Sequence, residues 1–364
     1  MTASGKIQSQ QLRTTLSKTG EVLLPLLAVP FALLIGAVVL IFLKVNPLDA
    51  YGALAKGAFG SVSAITQTLV KATPLLLVGL GVTIAFRGGV INIGGEGQLV
   101  AGALAGTAVA LSLPTWPKIV LMPMVLISGA LAGAIWGGIP GVLKARLGVN
   151  EILSTIMMNA IALRLSNFLL TGPMIDPKEV EAGTLIAQSA IITESAWMAR
   201  LVPRTMLHTG VILAVVLAVG VYFLLWRTTI GYRIRAVGLN PNASRYAGIS
   251  VPFYQALSLI LGGAFAGLAG SVEVLGVYRR MVDGLSGGYG FTGIVAALFG
   301  GLHPLGAVPA SVLFGSLLVG GDKMQRVTQT PTALISTLLG LVVLFVVGSE
   351  YWSRKQAHRR EMNE

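Results

Sequence analysis

The chain has 364 residues, of which 54% are hydrophobic and only 11% are charged, and its formal net charge is +12. Soluble domains usually carry about 25% charged residues, so the composition excludes an ordinary water-soluble globule. The chain contains no cysteine, which excludes disulfides, thiolate catalysis and cysteine-ligated metals. Its three histidines, His208, His303 and His358, are too far apart in sequence to form a metal-ligand motif.

Apolar segments long enough to cross a bilayer recur along the chain. A spanning helix needs about 20 mainly apolar residues, and residues 22–43 carry no charge at all. This run is longer than the apolar part of a signal peptide, so we interpret it as a retained first helix. The sequence therefore predicts an all-α polytopic membrane protein of about ten transmembrane helices, at residues 22–43, 67–86, 90–112, 119–143, 151–171, 209–226, 253–277, 291–301, 305–321 and 331–350.

The loops between these spans predict the orientation. An even number of spans places both termini on one side, and the segments on that side have the larger excess of Lys and Arg over acids. The positive-inside rule then predicts that both termini are cytoplasmic. The positive net charge is accordingly interpreted as a topology signal rather than as a surface for nucleic acid.

The predicted domain organisation is simple. A cytoplasmic tail at 1–21 precedes a single transmembrane domain at 22–350, and a cytoplasmic tail at 351–364 follows it. Two connections in this domain are long. The extracytoplasmic loop 172–208 is expected to form a lid or a short interfacial helix, with an apolar-periodic piece near 186–198, and the loop 227–252 faces the cytoplasm.

A glycine-rich stretch, FRGGVINIGGEGQLVAGALAG, lies at the cytoplasmic boundary between the second and third spans. Its glycines allow a tight turn and a close approach of the third helix to a neighbour. Glu96 falls near the start of that helix, where the helix dipole and Arg87 are both expected to stabilise a negative charge. Two interpretations stay open: a packed helix entry with a neutralised acid, or direct contact of Asn92 and Glu96 with a transported solute.

The fifth span carries a polar stripe. Its members recur at spacings of 4, 4, 3 and 4 residues, which places them on one helical face, and they are Glu151, Thr155, Asn159, Ala162 and Ser166. Polar groups at membrane depth usually face the bundle interior or a cavity. Thr155, Asn159 and Ser166 are therefore candidate lining residues of a solute path. The alternative is interhelical hydrogen bonding, which contributes about 0.6–2 kcal/mol per contact.

The outer end of the seventh span combines an acid with two bases. Glu273 is followed by Arg279 and Arg280, and the preceding helix carries small residues that allow close helix packing, namely Gly262, Gly263, Gly267 and Gly270. One interpretation is a tight interface that an ion pair closes. The other is that these charges receive an extracytoplasmic partner.

The cytoplasmic loop contains the segment GLNPNASRYAGIS. Asn240-Pro241 predicts a turn, after which Asn242 is expected to cap a short helix that begins at Ala243 and stops at Gly248. This helix would present an apolar patch, with Arg245 at its edge, made of Ala243, Tyr246 and Ala247. Small residues around one aromatic ring favour docking into a protein groove, and packing on lipid is the alternative.

On this segment and three others the chain resembles the permease subunits of ABC importers, in the branch shared by branched-chain amino acid, ribose-type sugar and nucleoside systems. The other three segments are most similar to nucleoside-type members, and they read TIAFRGGVINIGGEGQLVAGAL, VNEILSTIMMNAIA and GYGFTGIVAALFGGLHPLGAVPASVLFG. The resemblance covers about residues 65–350 and implies a type II importer-like permease bundle in a bacterial inner membrane.

The resemblance also implies partners: cytoplasmic ATPase subunits, a second related permease and an extracytoplasmic substrate-binding lipoprotein. The segment that would rest on the ATPase comprises Gly238, Asn240, Asn242, Ala243, Arg245, Tyr246, Ala247 and Gly248. The chain has no G-x-x-x-x-G-K-[ST] phosphate loop, so ATP and Mg²⁺ are expected on the partners and no cofactor on this chain.

Other functions fit the residues less well. An ion-coupled secondary transporter would favour paired intramembrane carboxylates, and only Glu96 and Glu273 are candidates. An intramembrane enzyme lacks cysteine, clustered histidines and paired aspartates for acid–base or metal chemistry. Within the transporter class, a nucleoside-like solute is expected, and a sugar or an amino acid is the alternative.

Overall fold

The computed structural model describes residues 30–31 and 33–329, together with residues 337, 340, 341, 344 and 345. In this part of the chain the regular structure is helical, and the β-structure consists of two isolated bridges. The helices are α1 (Leu33–Phe42), α2 (Pro47–Phe59), α3 (Val62–Arg87), α4 (Gly95–Ser112), α5 (Lys118–Leu147), α6 (Glu151–Thr171), α7 (Pro177–Ala182), α8 (Gly210–Arg227), α9 (Thr229–Leu239), α10 (Pro241–Tyr246), α11 (Val251–Glu273), α12 (Tyr289–Phe299) and α13 (Pro304–Thr328).

Six of these helices are long and apolar enough to cross a membrane: α3, α5, α6, α8, α11 with its continuation to Tyr278, and α13. Two shorter apolar helices, α1 and α12, add to them. The prediction of a helical, multi-pass membrane protein is therefore confirmed. The count of about ten spans stays a prediction, because span 331–350 and the start of span 22–43 lie largely outside the described residues.

Several predicted boundaries are wrong. The third span was expected to start at residue 90, but α4 begins only at Gly95, and residues 88–94 are irregular. The expected short ninth span is the 25-residue helix α13. In the outer loop the short helix lies at Pro177–Ala182, where Asp176 caps it, whereas the apolar piece near 186–198 is mostly extended with one 3₁₀ turn at Glu194–Ala196.

The chain divides into two compact units. One contains α1, α2 up to Gly57 and the part of α13 from Leu317, and its core packs Leu40, Ala50 and Met324 together. The other unit runs from Ala58 to Ser316 and holds the segments on which the functional argument depends.

In the larger unit α11 packs against α3, α4 and α5 through glycines. A methyl group on Gly267 would lie 2.2 Å from the Gly129 carbonyl oxygen of α5, and one on Gly102 of α4 would lie 2.2 Å from the Gly267 carbonyl oxygen. The backbones therefore touch directly at this crossing. The small residues of α11 allow the close packing that the sequence predicts.

The segment between α6 and α8, named the outer segment after the side that the sequence predicts for it, packs on the end of α11. Backbone hydrogen bonds join Ser189 to Met281 and Ile192 to Arg279, with N···O distances of 2.8 and 2.9 Å. The Arg279 guanidinium lies 3.7 Å from the centre of the Trp197 ring, and Arg280 forms an ion pair at 3.9 Å with Asp176 of the same segment. Both arginines thus hold the outer segment.

An ion pair between Glu273 and these arginines was one expectation for this end of the helix, and it is wrong for the described residues. Glu273 is 1% exposed, and its Oε1 atom has no hydrogen-bond partner among them. The reason is that the α-helix ends at Glu273 and a π-helical turn, Val274–Tyr278, follows. After this turn the arginines meet the outer segment instead of the acid.

The glycine crossing yields a stability prediction with a matched control. We expect Gly267→Ala to lower the apparent melting temperature of the detergent-purified protein, because overpacking costs about 1–3 kcal/mol. Gly220→Ala in α8 adds the same methyl group with no atom within 4 Å, so helix propensity alone should leave it neutral or slightly stabilising. Equal melting behaviour of the two variants would contradict the direct backbone contact.

Candidate translocation site and coupling surface

Glu96 lies at the beginnings of two helices at once. It is the second residue of α4, and its carboxylate accepts hydrogen bonds from the N–H groups of Gly288 and Gly290 at the start of α12, at 3.1 and 2.8 Å. The side chain is 6% exposed. Backbone N–H groups at a helix start have no partner within the helix, and the helix dipole favours an acceptor there. The Glu96 carboxylate of α4 therefore caps the start of α12.

Glycine makes this contact possible. A Cβ atom on Gly290 would lie 2.2 Å from the Glu96 backbone nitrogen, and one on Gly95 would lie 3.3 Å from the Gly290 carbonyl oxygen. Residues 88–94 lead into the site as irregular backbone. Irregular backbone at membrane depth is tolerated only where protein buries it or where it lines a water-filled cavity. Residues 88–94, named the entry segment below, thus lead from α3 to the point where the starts of α4 and α12 meet, named the helix junction.

Asn92 stabilises the conformation of the entry segment through hydrogen bonds. Its Oδ1 atom accepts from the Gly94 N–H at 2.9 Å and from Gln98 Nε2 at 3.1 Å, and its Nδ2 atom donates to Gln98 Oε1 at 3.0 Å. Asn92 and Gln98 are each 1% exposed. The two amides form a closed pair, which leaves little of the Asn92 side chain for a solute in this state.

The polar stripe of α6 faces the protein interior and packs beside this segment. Asn159 Oδ1 accepts from the Gly97 N–H at 2.8 Å, and Asn159 Nδ2 donates to the Ile93 carbonyl at 2.9 Å. Thr155 donates to the Glu151 carbonyl at 2.6 Å, and Ser166 is buried. The Asn159 contacts join α6 to another segment, as the packing interpretation expects, whereas the Thr155 hydrogen bond lies within α6. The role of the three residues in a solute path stays a prediction.

Arg87 contacts the segment that follows α12, at the opposite end of that helix from Glu96. Its guanidinium donates to the carbonyls of Leu302 and Gly301 at 2.9 and 3.2 Å, just after the end of α12, and lies 5.5 Å from the centre of the Trp226 ring. A cation at a helix C-terminus is favourable for the same reason as an acceptor at the N-terminus. The 11-residue helix α12 is therefore held by Glu96 at its start and by Arg87 beyond its end.

The loop between α8 and α11 forms two helices, α9 and α10. Asn240 caps α10, and its Oδ1 atom accepts from the Ala243 N–H at 3.0 Å. The prediction that Asn242 is the cap and Ala243 the first residue is wrong, because Pro241 takes the first helical position, for which its fixed φ is suited. Gly248 does end the turn, with φ of +77°.

The surface of α10 is open in the isolated chain. Tyr246 is 95% exposed, and Ala243, Arg245 and Ala247 are exposed beside it. Ser244 is buried and anchors the other face of the helix. The exposed aromatic ring among small residues matches the patch expected from the sequence.

Helix α9 contacts the chain just after α3 through its backbone. A Cβ atom on Gly238, at the end of α9, would lie 2.1 Å from the Arg87 carbonyl oxygen, and the Gly238 Cα atom lies close to Gly89. Gly89 has a φ of +73° and forms the turn at the start of the entry segment. The end of α9 is therefore in direct backbone contact with the start of that segment.

Sequence reasoning missed three participants, of which the first is a pair of glycines. The glycines Gly288 and Gly290 lie almost two hundred residues from Glu96 in sequence, and no local pattern joins them. Gln98 is separated from Asn92 by only six residues, and its buried amide was a detectable signal. The third is Lys71, a charged residue in the middle of an apolar span, whose Nζ atom donates to the Tyr289 hydroxyl at 2.6 Å.

Comparison with known proteins follows the same segments. The sequence pattern of the family described as "Branched-chain amino acid transport system / permease component" matches residues 64–347. The guanosine ABC transporter permease protein NupP of Bacillus subtilis is 37% identical over 333 residues, which cover 91% of this chain and 94% of that protein.

Two further relatives align over similar lengths. The nucleoside ABC transporter permease protein NupB of Lactococcus lactis is 36% identical over 336 residues, or 91% of this chain and 92% of that protein. The glucose ABC transporter permease protein TsgB13 of Haloferax volcanii is 37% identical over 341 residues, or 91% of this chain and 88% of that protein. All three are thus similar to this chain over almost its whole length.

The Glu96 contact predicts a loss of stability on amidation. In Glu96→Gln one of the two acceptor oxygens becomes an amide donor, so one of the glycine N–H groups loses its partner. An unsatisfied buried donor costs about 1–3 kcal/mol, and we expect a lower melting temperature. Glu181→Gln, an exposed acid of α7, is the control and should melt as the wild type does. If Glu96→Gln also melts unchanged, Glu96 does not cap α12.

Proposed function

Since the chain belongs to the family of permease components of branched-chain amino acid transport systems, we propose that it is the membrane-spanning subunit of an ATP-driven importer for a nucleoside-like solute. The observation that carries the proposal is the 37% identity to a guanosine permease over 94% of that protein. The nucleoside permease of Lactococcus lactis supports the same solute class. The chain thereby supplies the translocation path and no catalytic group.

A sugar is the second candidate solute, because a glucose permease is equally similar at 37% identity. A probable riboflavin import permease protein of Treponema pallidum, RfuC, is 26% identical over 330 residues. Guanosine, glucose and riboflavin differ in shape but all carry several hydroxyl groups. An amino acid would follow only from the family description, and an ion-coupled secondary transporter has no support from these relatives.

The proposed assembly contains four kinds of partner. These are the cytoplasmic ATPase subunits that bind ATP and Mg²⁺, a second related permease, an extracytoplasmic substrate-binding lipoprotein and the surrounding lipids, with no nucleic acid. The exposed patch around Tyr246 supports docking on the ATPase, since a large exposed aromatic side chain commonly anchors an interface. The proposed location is the bacterial inner membrane, with both termini and the single permease domain's loop 227–252 oriented to the cytoplasm.

The proposed mechanism is alternating access. ATP-driven closure of the partners displaces α10 and α9, and the Gly238 contact passes the motion to the turn at Gly89. That turn leads directly into the entry segment, which contains Asn92 and is followed by Glu96 in α4. Because Arg87 lies beside the same turn and holds the far end of α12, both ends of this short helix respond together.

The solute path in this proposal runs beside the helix junction. Asn92, Glu96, Thr155, Asn159 and Ser166 are its candidate lining residues. In the described state their hydrogen bonds are directed to the protein, which corresponds to a closed path. Opening the path would exchange some of these internal bonds for bonds to water and solute.

The solute class is tested by uptake. The chain is expressed with the partner proteins encoded beside its gene in cells that lack their own nucleoside uptake. We expect saturable, ATP-dependent accumulation of labelled guanosine, and competition by other nucleosides but not by glucose or leucine. Uptake of glucose that guanosine does not inhibit would replace the nucleoside proposal by the sugar alternative.

The docking surface is tested at Tyr246. In Tyr246→Asp a charge would be buried against the ATPase, which costs several kcal/mol when the charge is unpaired. Since each 1.4 kcal/mol changes an equilibrium about tenfold, we expect uptake to fall at least about tenfold while the ATPase still hydrolyses ATP.

Tyr246→Phe is the matched control, because it keeps the ring and removes only the hydroxyl group, and it should transport normally. The variants are first shown to insert into the membrane in equal amounts. Normal uptake by Tyr246→Asp would exclude α10 as the coupling helix.

A further inference from the structure

A cluster of ionisable groups outside the mechanism described so far lies deep in the larger unit. Lys71 is the tenth residue of α3, about 14 Å along the helix from its first residue at 1.5 Å per residue. Charged side chains at such depth in a membrane span are rare and usually functional. The side chain is only partly buried, so it reaches the edge of the packed core.

Lys71 meets the first residue of α12. Its Nζ atom donates to the Tyr289 hydroxyl at 2.6 Å and lies 5.2 Å from the centre of the Tyr289 ring. Tyr289 is 3% exposed and stands between Gly288 and Gly290, whose N–H groups bind Glu96. The cluster therefore adjoins the helix junction.

Glu273 of α11 completes the cluster. Helices α3 and α11 pack antiparallel, because Gly88 of α3 meets Ser258 of α11 and Gly81 meets Gly262. Lys71 precedes Gly81 and Glu273 follows Gly262 by a similar length of helix, so both lie toward the same end of this helix pair, yet the two form no ion pair within the described residues. Glu273 is 1% exposed, and its Oε1 atom has no hydrogen-bond partner in the described part of the chain. Leaving a buried acceptor unsatisfied is costly, so the acid is poorly explained by packing alone.

The three groups offer complementary chemistry. A carboxylate accepts hydrogen bonds, an ammonium donates them, and a phenol does both. Pairs of sugar hydroxyl groups match this set, and a carboxylate that accepts from ribose hydroxyls is a recurrent mode of nucleotide recognition. Glu96 offers less, because both of its oxygens are already occupied by backbone N–H groups.

The backbone beside Glu273 is also unusual. The α-helix changes there into the π-helical turn Val274–Tyr278, and π-turns within helices are frequent at functional sites. The turn places Glu273 at the last α-helical position, next to a segment whose pitch differs from that of the helix before it.

We propose that Glu273, Lys71 and Tyr289 bind the hydroxyl groups of the transported solute, with Glu273 accepting from them and Lys71 and Tyr289 donating to them. This inference rests on the proposed function and names the part of the solute that the permease recognises. It makes Glu273 and Lys71 specificity-determining residues rather than a structural charge pair.

The test measures discrimination in the assembled importer. The kcat/KM for uptake is determined for guanosine and for an analogue that lacks one ribose hydroxyl, chosen among analogues that the binding protein is first shown to bind. The binding protein is the same in every measurement, so a change in the ratio between variants belongs to the permease.

Three variants carry the test. Tyr289→Phe removes one hydroxyl and keeps the ring, and Glu273→Gln removes the charge of the acid. The double variant Lys71→Met/Glu273→Gln removes both charges together, so no unpaired charge remains. Tyr51→Phe is the control, because the Tyr51 hydroxyl donates to the Leu33 carbonyl in the other unit.

We expect wild type and Tyr51→Phe to have a higher kcat/KM for guanosine than for the analogue. In Glu273→Gln and in the double variant this ratio should fall about tenfold, because a charge-assisted hydrogen bond contributes about that much. In Tyr289→Phe the same ratio should fall by a smaller factor. The inference would be overturned if Tyr289→Phe and every charge variant that assembles kept the wild-type kcat/KM ratio. It would also be overturned if the wild type itself did not prefer guanosine to the analogue. If no charge variant assembles, the Tyr289→Phe ratio decides alone. Failure of the proposed function is distinct, because then wild type would not take up guanosine at all.

Discussion

The fold of the larger unit depends on one constraint, which is that backbone N–H groups inside a membrane protein need partners from the protein itself. The first residues of α4 and α12 are buried, and each helix leaves such groups at its start. The Glu96 carboxylate supplies acceptors to Gly288 and Gly290 of α12, and Asn159 supplies one to Gly97 of α4. Glycines at the meeting points let the backbones come close enough for both contacts.

The same arrangement links the exposed surface of α9 and α10 to the helix junction. Arg87 holds the carbonyls beyond the end of α12, and its own carbonyl touches Gly238 at the end of α9. A short helix with an acceptor at one end and a cation at the other can shift as a rigid body when either support moves. This geometry connects the exposed ring of Tyr246 with the buried Glu96 through few intermediate contacts.

Local patterns in the sequence predicted a large part of this structure. The spacing in α6 placed Thr155, Asn159 and Ser166 on the buried face, because helical periodicity is a property of adjacent residues. The partner of Glu96 could not be predicted, since Gly288 and Gly290 come from a distant segment and the contact depends on tertiary packing. The wrong cap of α10 had a local cause: Pro241 fits the first helical position, which moves the cap to Asn240.

The central claim is that the solute passes beside the junction of α4 and α12. The most direct test is a cryo-electron microscopy structure of the assembled importer with guanosine trapped in the permease. The account predicts solute density in contact with the residues around the starts of these two helices, including Glu96 or Tyr289. Density on a different face of the chain, with the Glu96 hydrogen bonds to α12 unchanged and no solute near them, would contradict it.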